Sequence, residues 1–486
     1  MSAQGGDEQL QTLQRLLARS GTAVEALWMR YFQLGGTAGP VEVEAYVAGL
    51  GSLPALDRDV LAAAFNELLD EQAPPERVPY SRKVRQPTPQ SGPLGALVSA
   101  LAGMHLAPPE RLTTVTAMAG EALGVQVVTY LVDYEQRRLH PVPGPFTGSR
   151  EALGVDTSLA GRAFRTLETF SARTDGEARL WVPLLDGVER LGALEVVLGD
   201  PQDADDPAFR SHLTWLAALL GHLVTVTTQY GDGLDQVRRQ QSRNAAAELV
   251  WQLLPPTTAG TDKVTVTGMI EPCYTVGGDA FDYALSETTA HLAIFDATGH
   301  SLDSGLITAT ALSAYRAARR DGRSLFDQAM AVDDVIGTDV QTGRLVTSVL
   351  AELDLATGRL RYISAGHPYP LVVRRGKVVK MLDKGRRPIF GLPTRDLAVA
   401  EEVLEPDDWL VLYTDGITEA RGEDGSFFGA DRLEGFLERE TGAGHPPPEM
   451  VRRLVHRVMD HQQGVLQDDA TVLVARWSDL TAQLTP

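Results

Sequence analysis

Residues 257–478 return repeatedly to short runs of apolar and β-branched residues, and turn signals separate these runs. The run at 264–270 alternates between apolar and polar residues, which predicts a strand. Two segments with helical periodicity, 303–320 and 324–337, stand together among the strands. Consecutive strands joined by hairpins, with grouped helices, predict an α+β fold with largely antiparallel sheets.

The rest of the chain differs from this region in composition. A length of 486 residues exceeds what one compact core accommodates, so several domains are expected. The predicted divisions are a helical regulatory region at 1–72, a proline-rich linker at 73–93, a central domain at 94–230, a linker helix at 231–256 and the C-terminal domain at 257–478.

The central region begins with two helical patterns, continues with strands and closes with a helix at about 207–229. Asp186-Gly187 divides two of its strands as a hairpin turn does. This order resembles a GAF domain, a common signal-sensing module, and implies an α/β sensor for a small-molecule or protein signal. A GAF-like fold that only dimerises is an equally good interpretation.

An apolar stripe at helical spacing runs from Leu234 to Leu253. It predicts a helix over 231–256, and a parallel coiled coil between two copies of the chain is one interpretation, which implies a homodimer. Gln241 interrupts the stripe, so a plain helix docked on the C-terminal domain is the other interpretation.

Composition disfavours several classes of protein. The formal net charge of −20 argues against binding to nucleic acid or to an anionic membrane, since both reward clustered positive charge. The single cysteine, Cys273, excludes an internal disulfide and a thiolate metal site, and its simplest role is that of a small buried apolar residue. No secretory signal is apparent, so a cytoplasmic protein is expected.

Aspartates stand at the ends of four predicted strands of the C-terminal domain. They are Asp279 with Asp282, Asp296, Asp415, and Asp468 with Asp469. Carboxylate ligands without histidine or cysteine select Mg²⁺ or Mn²⁺ over Zn²⁺. Two such cations about 3.5–4 Å apart lower the pKa of a water between them and offset charge on a phosphoryl group. The pattern therefore predicts hydrolysis of a phosphate ester.

These aspartates lie in four of five short motifs, and the five motifs follow one another in a fixed order. They are Gly277-Gly278-Asp279-Ala280-Phe281-Asp282, Asp296-Ala297-Thr298-Gly299-His300, Ala365-Gly366-His367-Pro368, Tyr413-Thr414-Asp415-Gly416 and Gln467-Asp468-Asp469-Ala470-Thr471. Together they resemble the SpoIIE-like branch of the PPM, or type 2C, metal-dependent protein phosphatases. The resemblance implies a two-sheet αββα sandwich with metal ions in a cleft at one sheet edge.

By this resemblance Asp296 bridges two metal ions and is catalytic together with Asp415. The Ala297 carbonyl and Asp279 serve the second ion, and Asp415 and Asp468 complete the first. The supporting residues are Asp282, Gly278, Gly299, Gly416 and Asp469.

Two departures from the family's pattern concern the general acid. Ser301 follows His300 where the family usually has glycine, and Thr298 occupies the place of a histidine proposed as the acid in eukaryotic members. His300 and His367 are therefore interpreted as structural, and metal-bound water remains the candidate acid.

The resemblance implies hydrolysis of phosphoserine or phosphothreonine on a protein, with Mn²⁺ or Mg²⁺ as the cofactor. The expected substrate is a phosphorylated anti-sigma-factor antagonist, and the N-terminal modules are expected to regulate the reaction. An alternative is a non-catalytic scaffold that binds a signal and docks a partner through the phosphatase fold. Cyclic-nucleotide binding by the central region is a third interpretation, compatible with the first.

Overall fold

A computed structural model gives the fold of most of the chain. The described residues are 3–70, 91–174, 177–271, 274–275, 277–299, 302–337, 345–392, 394, 398–464 and 468–478. They belong to two compact units, Met1–Pro89 and Gln90–Pro486. Most of the predicted linker at 73–93, Cys273 and His300 lie outside the described residues.

Within residues 3–70, the described part of the first unit, the chain forms four helices. They are α1 (Ala3–Ser20), α2 (Val24–Gln33), α3 (Pro40–Val47) and α4 (Ala55–Asp70). Leu13 of α1 and Leu61 of α4 pack with Phe65 in one core. Gly35, between α2 and α3, has a φ of 87° that suits glycine.

The second unit begins with an antiparallel sheet and its covering helices. The strands are β1 (Gln126–Val132), β2 (Arg138–Pro141), β3 (Leu153–Gly154), β4 (Phe170–Thr174), β5 (Glu177–Asp186) and β6 (Glu189–Val197), in the spatial order β3-β2-β1-β6-β5-β4. The helices are α5 (Gly92–Met104), α6 (Leu112–Ala122), α7 (Leu159–Thr166) and α8 (Pro207–Thr228), with short 3₁₀ turns at Pro109–Arg111 and Pro201–Asp205. We call this part the central part. Its likeness to a GAF domain stays a prediction.

The linker contains two short helices, α9 (Gly233–Arg238) and α10 (Ala245–Leu253). The prediction of one continuous helix over 231–256 is wrong, because the backbone is extended at Arg239 and a new helix starts after Asn244. The Asn244 side chain caps α10 by accepting the Ala247 N–H at 2.7 Å. Since α10 packs against residues of the C-terminal domain, the structure agrees with the docked-helix interpretation.

Twelve strands of the C-terminal domain form two sheets that pack face to face. They are β7 (Thr258–Gly260), β8 (Val264–Glu271), β9 (Asp279–Leu285), β10 (Thr289–Ala297), β11 (Val346–Asp354), β12 (Arg359–Ala365), β13 (Leu371–Arg374), β14 (Lys377–Met381), β15 (Arg386–Arg387), β16 (Ala400–Val403), β17 (Trp409–Tyr413) and β18 (Ala470–Trp477). The first sheet has the order β15-β12-β11-β10-β9, with β16 beside β12. The second has the order β14-β13-β17-β18-β8-β7.

Helices cover the outer faces of both sheets. They are α11 (Leu302–Arg320), α12 (Leu325–Gly337), α13 (Asp415–Thr418), α14 (Gly429–Gly442) and α15 (Pro447–His461). The pair α11 and α12 packs on the first sheet, and the pair α14 and α15 packs on the second. A third core lies between the sheets. The predicted α+β class is confirmed, and the layers run helix, sheet, sheet, helix.

The central part and the C-terminal domain share a buried ion-pair network. Arg190 of β6 donates to Glu449 Oε2 at 3.2 Å, and Glu449 also binds Arg452 at 2.9 Å. Arg452 reaches back to Asp156 of the central part at 2.6 Å. Arg190, Glu449 and Arg452 are buried, so the two parts are joined by charged groups removed from water, while Asp156 at the end of the network stays exposed.

No helix in the described ranges is long and apolar enough to cross a membrane.

Candidate metal centre

Strand alternation decides which side chains enter the space between the two sheets. Phe281 of β9 and Ile294 of β10 belong to the core between the sheets. Asp279 and Asp296 stand two residues from them on the same strands, so both carboxylates lie on this inner face. The ladder also pairs Asp279 with Asp296, which brings the two aspartates opposite each other on neighbouring strands.

Both of these aspartates lie in concentrated negative charge. Asp279 is 2% exposed, and burial together with the charges of Asp296 and Asp469 raises its pKa well above the usual value. Burial and the charges of Asp415 and Asp468 raise the pKa of Asp296 to about 7. A negative charge raises the pKa of another carboxylate only at short distance, so these carboxylates are neighbours.

Asp415 and Asp468 come from the second sheet. Asp415 opens α13 directly after β17, and Asp468 stands just before β18, the strand paired with β17. Burial and the charges of Asp468 and Glu419 raise the pKa of Asp415. Because Asp468 acts on both Asp415 and Asp296, carboxylates from the two sheets surround one space at this end of the cleft.

Asp469 holds the loop that leads into β9. Its Oδ2 atom accepts hydrogen bonds from the backbone N–H groups of Gly277 at 2.7 Å, Gly278 at 2.8 Å and Asp279 at 3.4 Å. Ser304 of α11 donates to the Gly277 carbonyl at 2.8 Å. The Gly277–Asp279 segment is therefore fixed from two sides, by Asp469 along its backbone N–H groups and by Ser304 at the Gly277 carbonyl.

Asp282 does not join the other aspartates, which corrects its grouping with Asp279. A spacing of three residues turns the two side chains to opposite faces of β9. On the outer face Asp282 binds Arg316 at 2.6 Å and Arg319 at 2.7 Å, both from α11. Its carboxylate ties α11 to the first sheet and stays outside the cleft.

Glycines let the loops of this site approach one another. A β-carbon on Gly278 would lie 2.4 Å from the Ala297 carbonyl oxygen, and one on Gly416 would lie 1.9 Å from the Asp469 carbonyl oxygen. Real β-carbons do not come this close to backbone atoms. Gly299 has a φ of 103°, which side chains disfavour.

Two threonines hold the carboxylates, and sequence reasoning gave neither a role. Thr414 donates to Asp279 Oδ2 at 2.8 Å and accepts the Thr471 N–H at 2.9 Å, which ties β17, β18 and β9 together. Thr347 pairs with Asp296 in the ladder, and its Oγ1 lies 3.4 Å from Asp296 Oδ2. The sequence could have indicated the role of Thr414, because Thr414 directly precedes Asp415.

His367 supports Thr347 from behind. Its Nδ1 lies 2.8 Å from Thr347 Oγ1, and burial lowers the pKa of His367 to about 3. The ring is therefore neutral near pH 7 and serves as a hydrogen-bonding partner, which agrees with a structural interpretation.

The set of donor atoms suits a hard divalent cation. Carboxylate oxygens from four segments meet here, and each raised pKa reports negative charge that a cation would offset. Across the described ranges, no three Asp, Glu, His or Cys side chains have an arrangement that holds a single ion. The carboxylates are thus neighbours, but the described residues do not place three of them around one point.

Part of the C-terminal domain is similar to known proteins. Residues 286–478 match the family model for stage II sporulation protein E, SpoIIE. The SiaA-PP2C domain of Pseudomonas aeruginosa is a similar solved structure, with 24% identity, a TM-score of 0.40, and coverage of 44% of this chain and 86% of that one.

Two curated relatives are similar over about half of this chain. Protein IcfG of Synechocystis is 21% identical over 279 residues, which are 51% of this chain and 43% of the relative. Phosphoserine phosphatase RsbU of Bacillus subtilis is 23% identical over 233 residues, 48% of this chain and 68% of the relative. The chain thus spans less than half of IcfG. The C-terminal domain of this chain is thus similar, over residues 286–478, to the SpoIIE family.

Proposed function

We propose that this chain removes phosphate from phosphoserine or phosphothreonine of a protein in a reaction that depends on Mn²⁺ or Mg²⁺. The supporting observation is that carboxylates from both sheets meet at one end of the cleft and raise one another's pKa. The match to the SpoIIE family model and the phosphoserine phosphatase among the similar proteins support the same reaction.

The proposal assigns the cations to particular residues. Asp296 would contact both ions, the Ala297 carbonyl and Asp279 would serve the second, and Asp415 and Asp468 would complete the first. When bound, the two ions would lower the pKa of a water molecule and offset the charge of the phosphoryl group. The aspartates are acceptors only while they are ionised, so they hold cations and cannot donate protons in that state.

The surrounding residues would keep these carboxylates in place. Thr414 donates to Asp279, which leaves the other oxygen of that carboxylate available. Asp469 holds the backbone before Asp279, and the pair of Thr347 and His367 limits the rotation of Asp296. Preorganisation of this kind lowers the cost of assembling a charged site.

For the substrate we propose a phosphorylated anti-sigma-factor antagonist, as the family resemblance implies. The central part is proposed as a sensor that regulates the reaction. A second copy of the chain as a partner stays a prediction, and the broken linker helix removes the coiled coil as its basis.

Metal dependence tests the proposal. We expect the purified chain to hydrolyse a phosphoserine peptide when Mn²⁺ is present, to lose this activity in excess EDTA and to regain it when Mn²⁺ is restored. Phosphate release measured over this cycle is the readout. A chain that takes up Mn²⁺ but releases no phosphate from phosphopeptides or p-nitrophenyl phosphate would support the scaffold alternative instead.

A further inference from the structure

Tyr274 lies where three segments of the second unit meet. Its side chain is 5% exposed, and its hydroxyl donates to Glu135 Oε2 at 2.9 Å. The same hydroxyl accepts the Gln240 N–H at 2.8 Å, and the Tyr274 carbonyl accepts the Asn244 N–H at 2.9 Å. One residue of the C-terminal domain thus contacts the central part, the linker and the start of α10.

The segment of the central part that Tyr274 contacts is a well-ordered turn between β1 and β2. The Asp133 carboxylate accepts the backbone N–H of Arg137 at 2.7 Å and that of Arg138 at 3.0 Å. Gln136 has a φ of 53°, which a non-glycine residue adopts only where its surroundings fix it. The turn therefore presents Glu135 in a defined position.

The same turn is also fixed on the C-terminal domain at α15. The Glu135 carbonyl lies 2.7 Å from His456 Nε2, and the Gln136 carbonyl accepts from Arg452 Nη1 at 3.4 Å. The Gln136 side chain accepts from Arg190 Nη2 at 2.9 Å. Because these contacts do not involve Tyr274, the turn stays docked when the tyrosine hydroxyl is removed.

Tyr274 stands three residues before the Gly277–Asp279 segment. Asp469 and Ser304 hold that segment directly, as described above, and Tyr274 anchors the chain on its N-terminal side. Asp279 thus follows two successive anchors of the chain. A displacement of the Gly277–Asp279 segment would change the distance between Asp279 and Asp296, its partner across the ladder.

We infer that Tyr274 is a positioning residue, through which the docked central part sets the place of the Gly277–Asp279 segment and thereby the cation affinity of the cleft. This inference rests on the proposed function, because it concerns the same cations. It assigns regulation of the site to the β1–β2 turn, which contacts Tyr274 directly and not through the linker helices.

The test is Mn²⁺ binding to the full chain, measured by isothermal titration calorimetry. We expect Tyr274→Phe to raise the Kd for Mn²⁺ about three- to tenfold, the range that loss of one or two hydrogen bonds produces. Saturating Mn²⁺ should restore kcat, since the reacting groups themselves are unchanged. Glu135→Ala should weaken Mn²⁺ binding in the same way, and Glu135→Gln, which keeps an acceptor, should recover most of the affinity.

Thr257→Val is the matched control. Thr257 donates to Glu189 Oε1 at 2.7 Å, so this variant also loses one hydroxyl contact between the central part and the C-terminal domain. The contact lies beside the edge strand β7, and the Kd for Mn²⁺ should stay as in the wild type. An unchanged Kd in Tyr274→Phe, or an equal rise in Thr257→Val, overturns the inference alone. No Mn²⁺ uptake by the wild-type chain overturns the proposed function as well.

Discussion

Asp296→Asn will lower kcat/KM for hydrolysis of a phosphoserine peptide by at least about a hundredfold at saturating Mn²⁺. Asp296 has carboxylate neighbours from both sheets. Asp279 faces it across the ladder of the first sheet, and Asp415 and Asp468 of the second sheet raise its pKa. Asparagine keeps the shape of the side chain and removes its negative charge. A cation bound between the sheets therefore loses its shared anionic ligand.

The thermal stability of Asp296→Asn should not fall with its activity. Burial and the charges of Asp415 and Asp468 oppose ionisation of Asp296 in the absence of cations. Removing this charge relieves the repulsion, so in metal-free buffer the unfolding temperature should stay level or rise. Falling activity together with unchanged or higher stability separates a role in the site from a general defect in folding.

Asp354→Asn provides the control for this experiment. Asp354 ends β11 at the far end of the same ladder, where it pairs with Thr289 and caps an exposed turn. This variant should keep kcat/KM within about twofold of the wild type, because surface changes have small effects. Equal activities of Asp296→Asn and the wild type would contradict the assignment of the metal centre.

Glu449→Gln will lower the free energy of unfolding of the second unit by about 3 kcal/mol at neutral pH. Glu449 is 1% exposed and accepts from Arg190 of the central part and from Arg452 and Arg453 of α15. Burial alone would raise its pKa, but the hydrogen bonds and charge of Arg452, aided by Arg190, hold the pKa at about 2. A neutral glutamine leaves buried guanidinium groups without their carboxylate.

The pH dependence of this effect follows from the direction of the pKa change. The folded chain lowers the pKa of Glu449 from 4.5 to about 2, so its ionised form contributes stability that is fully present above about pH 4.5. This contribution is lost as the pH falls toward 2, where the carboxylate protonates in the folded state too. The difference between wild type and Glu449→Gln should therefore shrink between pH 5 and pH 3, as measured by urea unfolding at roughly half-unit steps.

Glu287→Gln, on the exposed turn after β9, should show no such difference at any pH in this range. If Glu449→Gln unfolds at the same urea concentration as the wild type at pH 7, the ion pairs between the central part and α15 contribute nothing to stability. That result would also remove the reason for treating the β1–β2 turn as firmly docked.

Local patterns in the sequence predicted much of the C-terminal domain. Helices predicted at 303–320 and 324–337 are found at Leu302–Arg320 and Leu325–Gly337. Their apolar spacing is regular and their ends carry polar residues, so the sequence alone places them. The alternation of apolar and polar residues at 264–270 also identified β8, a strand whose two faces contact different layers of the domain.

Contacts between distant segments were not predictable in this way. The break between α9 and α10 depends on Tyr274, whose carbonyl accepts the Asn244 N–H, and no periodicity within the linker reports that contact. Asp282 seemed to accompany Asp279 because the two are close in sequence, but its arginine partners lie on a helix more than thirty residues away. Arg316 and Arg319, three residues apart on one helical face, were the available signal for a buried anion.

The most direct test of the metal centre is anomalous diffraction at the manganese absorption edge, from crystals of the full chain grown with Mn²⁺. We expect two anomalous peaks between the sheets, with Asp296 in contact with both and with Asp279, Asp415 and Asp468 around them. Crystals in which these four carboxylates have no manganese within coordinating distance would contradict the proposed metal centre.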